Sequence, residues 1–141
     1  MKILYTAVAT ATGEGRNGHV RSSDGILEAD LATPTELGGT GGKTNPEQLF
    51  AAGYSACFLN ALKRMAGNAH VPITDAAVTA EVGMGRHPED TGFVLAVTLV
   101  IEVGGVDQQS AEQLAEQAHA VCPYSNATRG NIEVTLDVVT A

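Results

Sequence analysis

Between Asn45 and Met65 the chain carries a segment that admits one reading, a long helix apolar on nearly every face. Asn45 is a good N-cap and Pro46 suits the first helical position. Gln48 stands three after Asn45, as in a capping box. Leu49, Phe50, Tyr54, Ala56, Phe58, Leu59, Leu62 and Met65 then cover too many faces for a helix lying on a surface. The helix should end near Gly67-Asn68 and form the buried centre of the fold. Two of the three phenylalanines lie on it, and so does Cys57.

The flanks read as strands. Residues Ile3 to Ala9 alternate, Gly13 to Gly18 is turn-rich, and His19 to Ser23 returns as a strand. Asp24-Gly25 signals a two-residue hairpin leading into Ile26 to Leu31. Pro34 and the cluster Gly38-Gly39-Thr40-Gly41-Gly42 make a flexible loop between flanks that could not fold alone, so it is not a domain linker. Beyond the helix, Ala76 to Val82 and Phe93 to Val103 read as strands around a loop at residues 83–88. Ser110 and Gln113 form a second capping box, opening an amphipathic helix that Pro123 stops. Ile132, Val134, Leu136 and Val138 alternate as a last strand. The expectation is one α+β domain over residues 1–141: an N-terminal strand meander, the buried helix, further antiparallel strands and a second helix.

Composition narrows the partners. Charged residues make up only 17% of the 141, below the usual quarter, so part of the surface should be covered, most simply by a second copy. A formal net charge of −8 argues against a nucleic-acid partner, which needs a basic stripe, and equally against an anionic membrane surface. Met1 to Thr6 lacks the apolar run of a signal peptide, and no stretch is long enough to span a bilayer. The expected compartment is the cytoplasm. There, two cysteines are more often redox-active or metal-bound than a permanent staple.

Cys57 in an apolar helix is by default a small buried hydrophobe with a raised pKa, inert unless a cation is brought to it. Arginine fits best, because its charge survives burial. The candidates are Arg16, Arg21, Arg64, Arg86 and Arg129. Arg16 stands out between Gly15 and Gly18 in a turn, although a turn arginine is ordinarily just solvated. Glu47 is a candidate to hold such an arginine, and otherwise a first-turn acid favoured by the helix dipole. Cys122 precedes Pro123 at a helix C-terminus, where the dipole disfavours a thiolate. That suits a thiol attacking second. His119-x-x-Cys122 is a weak fragment of a zinc site, with His19, His70 and His87 scattered elsewhere, so no metal is expected. No histidine has the setting of a base beside Cys57, and Gly38 to Gly42 lacks the lysine and hydroxyl of a phosphate loop.

The segment Thr44 to Phe58, read Thr-Asn-Pro-Glu-Gln-Leu-Phe-Ala-Ala-Gly-Tyr-Ser-Ala-Cys-Phe, closely resembles the first cysteine motif of the organic hydroperoxide resistance proteins, in the superfamily of osmotically inducible protein C. Val121-Cys122-Pro123-Tyr124-Ser125-Asn126-Ala127-Thr128-Arg129-Gly130-Asn131 resembles their second motif. Leu4 to Ala7 and the Gly15-Arg16-Asn17-Gly18 turn match their beginning, and Ser55 stands where alanine is expected. The resemblance implies a cysteine peroxidase without haem, flavin or metal, acting on alkyl or fatty-acid hydroperoxides. It makes Cys57 the peroxidatic thiolate, Cys122 the resolving thiol, Arg16 the activating cation and Glu47 its anchor. It also implies an intertwined two-fold homodimer and a dithiol reductant, a lipoylated protein. Phe50, Tyr54, Phe58 and Met65 make the neighbourhood of Cys57 oily, and are the candidates for substrate binding.

Two alternatives remain from the residues alone: a redox sensor signalling through the same disulfide, and a structural dimer with inert thiols. One geometric expectation follows. Glu47 and Cys57 lie ten residues apart on one helix, roughly 15 Å along its axis. An arginine held by Glu47 would more easily serve the Cys57 of a partner whose helix runs antiparallel, giving a composite site.

Overall fold

The architecture follows from where apolar side chains find cover. The structure, a computed structural model, describes residues 1–141 and divides into two units, Met1–Leu49 and Phe50–Ala141.

The first unit is built on a three-stranded antiparallel sheet of β1 (Ala9–Thr12), β2 (His19–Ser22) and β3 (Glu28–Asp30) in that order. Gly18 closes the β1–β2 loop, because a Cβ there would lie 2.1 Å from the Thr12 carbonyl oxygen. Residues 1–8 form no strand despite their alternation, since no strand of the chain pairs with them. The β2–β3 connection is longer than a two-residue hairpin. The Asp24 side chain accepts from the Ser22 hydroxyl and the Ile26 N–H, holding a loop from Ser23 to Leu27. Only Leu31, Ala32 and Asn45 of this unit are buried, while Ile3, Leu4, Tyr5, Val8, Ile26 and Leu27 stand exposed.

The division falls inside α1 (Pro46–Asn68). Asn45 caps it as expected, its Oδ1 accepting from the Gln48 N–H at 2.9 Å. The Gln48 side chain meets the Thr44 hydroxyl, so the second arm of the box reaches one residue further back.

The second unit holds the core. β4 (Ala76–Arg86) pairs antiparallel with β5 (Phe93–Val103), and β4 runs straight through residues 83–86, where a loop was expected. The last strand, β6 (Glu133–Thr140), pairs parallel with β5, against the expectation of further antiparallel strands. The long connection through two helices is the crossover that parallel pairing requires. The first of them, α2 (Gln108–Val121), starts before the Ser110 expected to cap it; Asp107 is the N-cap, accepting from the Ser110 N–H at 2.7 Å. The short α3 (Pro123–Thr128) was not foreseen. Tyr54, Phe58, Ala61, Leu62 and Ala66 form one stripe of α1, and they join inward residues of β5 and α2 in a single cluster with Cys122. The other faces of α1 are only partly covered within the chain, so full burial of the expected central helix is confined to one stripe.

Candidate active site

Pro123 shapes the second cysteine. The residue before a proline is pushed out of the helical region, and Cys122 adopts φ −63°, ψ 125° between α2 and α3. Its N–H still bonds to the Ala118 carbonyl at 2.8 Å, and its carbonyl accepts from the Asn126 N–H at 2.9 Å. The thiol is fully buried and lies 3.6 Å, sulfur to sulfur, from Cys57, with neither cysteine in a disulfide. A disulfide bond is about 2.05 Å long. The two sulfurs therefore need approach by only about 1.5 Å to bond.

Cys57 is half-buried and opens on a cavity of about 350 Å³, lined among others by Ala61, Met65, Val121 and Pro123. Burial pushes its thiol up. The Tyr124 backbone N–H, which donates to the sulfur, pulls the other way, and the neighbouring Cys122 thiol adds to the rise. Gly53 lets the Tyr124 ring lie against α1, since a Cβ there would come within 2.7 Å of the phenol oxygen.

A buried polar chain lies one helical turn from both thiols. Tyr54, three before Cys57, bonds to the Ser125 hydroxyl at 2.9 Å and to the Thr128 hydroxyl at 3.1 Å. Ser125, three after Cys122, meets His119 Nδ1 at 2.8 Å, and the Thr128 hydroxyl donates to the Ser125 carbonyl. Each hydroxyl has one proton, so the count sets the direction. Thr128 uses its proton on the carbonyl, Tyr54 donates to Thr128, Ser125 donates to Tyr54, and His119 Nδ1–H donates to Ser125. Burial and the nearby Arg129 hold His119 below its usual value, consistent with a neutral ring. Arg129 donates to the His119 carbonyl and to Asn126 Oδ1, bracing the Cys122 bend from the other side. The sequence reading missed this network; three hydroxyls and an imidazole at irregular spacing carry no periodic signal.

In the first unit, Arg16 sits in a 3₁₀ turn, Gly15–Asn17, and forks onto Glu47 with two bonds, Nη1 to Oε2 at 2.8 Å and Nη2 to Oε1 at 2.6 Å. Asn17 Oδ1 accepts from the Thr33 N–H, which fixes the turn. The pair holds the Glu47 carboxyl below the usual carboxylate range and raises Arg16 further above its own. Bidentate geometry of this kind fixes the direction of a guanidinium as well as its charge.

Two of the four side chains expected to bind substrate have no surface to do so. Tyr54 and Phe58 are fully buried in the chain, because they fall on the α1 stripe that packs the core. Phe50 is half-buried, edge-on to Tyr54 and Tyr124, and Met65 lines the Cys57 cavity. No group of three or more His, Cys, Asp and Glu is arranged to hold a metal ion. No helix is long and apolar enough to cross a membrane.

Two thiols 3.6 Å apart, on an α+β frame with two three-stranded sheets, define a class that comparison with known proteins identifies. The family model of OsmC-like proteins matches residues 39–137. The organic hydroperoxide resistance protein of Xanthomonas axonopodis pv. citri (strain 306) is 54% identical over 137 residues, covering 96% of this chain and 94% of that protein. The organic hydroperoxide resistance protein OhrB of Bacillus subtilis (strain 168) is 45% identical, covering 96% and 98%. The crystal structure of an organic hydroperoxide resistance protein from Elizabethkingia anophelis superposes with a TM-score of 0.94 at 52% identity, covering 100% of both chains. The chain belongs to the OsmC-like family and, within it, to the organic hydroperoxide resistance proteins.

Proposed function

We propose that the protein is a thiol-dependent peroxidase that reduces organic hydroperoxides to alcohols, with Cys57 as nucleophile. The observation that carries this reading is the pair of unbonded thiols 3.6 Å apart, one of them open to a cavity. The Cys57 thiolate attacks the terminal peroxide oxygen, the O–O bond breaks, and the alkoxide takes a proton and leaves as alcohol. Cys57 remains as sulfenic acid. The Cys122 sulfur then attacks Cys57, the S–S bond forms, and the hydroxyl departs with a proton as water. An external dithiol exchanges with this disulfide and restores both thiols. In this reading that dithiol is the dihydrolipoyl group of a partner protein.

Arg16 is the cation that offsets the burial of Cys57 and meets the developing alkoxide, and Glu47 aims it. The protein works as an intertwined homodimer in the cytoplasm. Support for the dimer comes from the first unit, whose two buried apolar residues cannot hold a sheet and an exposed apolar segment on their own. Each site is composite, taking Glu47 and its arginine from one chain and Cys57 from the other. Phe50 and Met65 remain as apolar contacts for the peroxide.

The test is a peroxidase assay with dihydrolipoamide, comparing cumene hydroperoxide with hydrogen peroxide. Sustained turnover with preference for the organic peroxide is expected, and Cys57→Ser should abolish it. A single oxidation per chain with no turnover would instead support a redox sensor using the same disulfide.

A further inference from the structure

Two hydrogen bonds cross the Cys122 bend, and both end on His119. Ser125 Oγ of α3 meets the imidazole Nδ1 at 2.8 Å, and Arg129, beyond α3, donates to the His119 carbonyl. The backbone bonds at the bend stay on their own sides of it, from the Cys122 N–H to the Ala118 carbonyl and from the Asn126 N–H to the Cys122 carbonyl. They do not fix the rotation at Cys122 that sets α2 against α3. Ser125 carries this clamp to the thiols. Tyr54 stands three before Cys57 on α1, and Ser125 stands three after Cys122. The Tyr54–Ser125 bond of 2.9 Å is therefore a rung beside the sulfur pair, 3.6 Å apart, joining the same two segments one turn away. Tyr54 and Ser125 are fully buried, so that rung is shielded from water. No hydrogen bond joins the His119 ring to either sulfur, so its effect on them passes through Ser125.

We infer that His119 is a positioning residue for closing the Cys57–Cys122 bond: by clamping Ser125 across the bend, it holds the Cys122 thiol in reach of Cys57. This rests on the peroxidase reading for its oxidant, though not for its geometry. Cys57 sulfenic acid has two fates. In one, the Cys122 sulfur attacks the Cys57 sulfur, the S–S bond forms, and the hydroxyl leaves with the thiol proton as water. In the other, a second hydroperoxide transfers its terminal oxygen to the same sulfur, giving sulfinic acid and another molecule of alcohol. His119 tips this partition toward the disulfide.

The test is rapid-quench mass spectrometry of Cys57 after cumene hydroperoxide, at one equivalent and in large excess. His119→Leu keeps the Arg129 bond to the backbone and removes the Ser125 contact. It should form sulfenic acid at the wild-type rate but close the disulfide about tenfold more slowly, the worth of one such hydrogen bond. Under excess peroxide it should accumulate correspondingly more sulfinic acid. His119→Asn, whose side-chain amide stands where Nδ1–H stands, should restore most of the closing rate. Leucine is the better helix former of the two, so damage to α2 alone would give the opposite order. A closing rate unchanged in His119→Leu, or no better in His119→Asn, overturns the assignment. Should His119→Leu fail to fold, Ser125→Ala breaks the same contact from α3; slower closing there supports the clamp, and unchanged closing overturns it. A second measurement needs no peroxide. Diamide adds to one thiol, and the other thiol then displaces it, leaving the disulfide and a hydrazine. That displacement should depend on His119 in the same way, and its independence from His119 also overturns the assignment. If the wild type consumes no peroxide while closure by diamide still follows His119, the peroxidase reading fails and the positioning role stands.

Discussion

The two units differ in what holds them together, and the chemistry divides along the same line. Phe50–Ala141 has a continuous core in which Phe58, Leu62, Leu99, Ile101 and Val103 lose all contact with solvent. There the thiols are set by packing, by the Pro123 bend and by the Tyr54–Ser125–His119 chain. Met1–Leu49 buries two apolar side chains and orders Arg16 by a bidentate ion pair and a glycine-bounded turn. On the proposed reading the two thiols bond to each other, and packing holds them within about 1.5 Å of the length such a bond needs. On the proposed reading, in which Arg16 meets the peroxide, its guanidinium needs only correct aim, which hydrogen bonds can supply.

If that division is right, the largest loss comes from the loosely packed unit. Arg16→Ala should slow oxidation of Cys57 by orders of magnitude while leaving the second unit folded, and Arg16→Lys should recover only part of the rate. Stopped-flow oxidation across pH checks this, with an unchanged rate moving the role to another arginine. A mixed dimer sharpens the claim that the units work across chains. Cys57→Ser chains refolded with Glu47→Gln chains leave one complete centre if sites are composite, so activity should return to about half per dimer. If each site lies within one chain, both centres are damaged and activity should be no better than that of Glu47→Gln alone.

The legibility of the sequence cut across that division. The cap at Asn45, the span of α1 and strand β5 were readable because local spacing and burial agree there. Residues 1–8 alternate like a strand yet form none, since strand formation needs a partner that local pattern cannot name. The parallel pairing of β6 is likewise a tertiary choice. Arg16 and Glu47 were chosen as a pair from residue type and from family resemblance, and the fold brings them together. Tyr54 and Phe58 read as substrate contacts in the sequence because oily residues near Cys57 look alike there, whether they face a cavity or the core. The hydroxyl chain stayed hidden because it joins residues 71 and 74 apart.

A smaller effect belongs to the packed unit. Tyr54→Phe keeps the ring but leaves the Ser125 and Thr128 hydroxyls one partner short in a buried site. The cost should be about 1–2 kcal/mol, read as a lower denaturation midpoint. An unchanged midpoint would mean that the network contributes no net stability.

The smallest effect lies on the first sheet. His19 Nδ1 meets Asp30 at 2.8 Å and Nε2 meets Glu28 at 3.0 Å, so both ring nitrogens donate and the ring is protonated. Arg21, paired with Glu28, and Lys43, near Asp30, are the other charges facing this cluster. The bonds to Asp30 and Glu28 raise His19 above its ordinary 6.5. Its contribution is therefore complete below that ordinary value and lost as pH rises through the raised one. The bond from His19 lowers Asp30, whose contribution is lost as pH falls through its depressed value. Amide exchange in β2 and β3 should quicken slightly on the alkaline side in the wild type, and show no such step in His19→Gln.

The most direct test is mass spectrometry of Cys122→Ser after one equivalent of cumene hydroperoxide. Without the resolving thiol, the account predicts a single added oxygen, about 16 Da, on Cys57, and in the wild type a Cys57–Cys122 disulfide in its place. Oxygen absent from Cys57 in that variant, or a wild type in which Cys122 takes it first, would contradict the assignment of the two thiols.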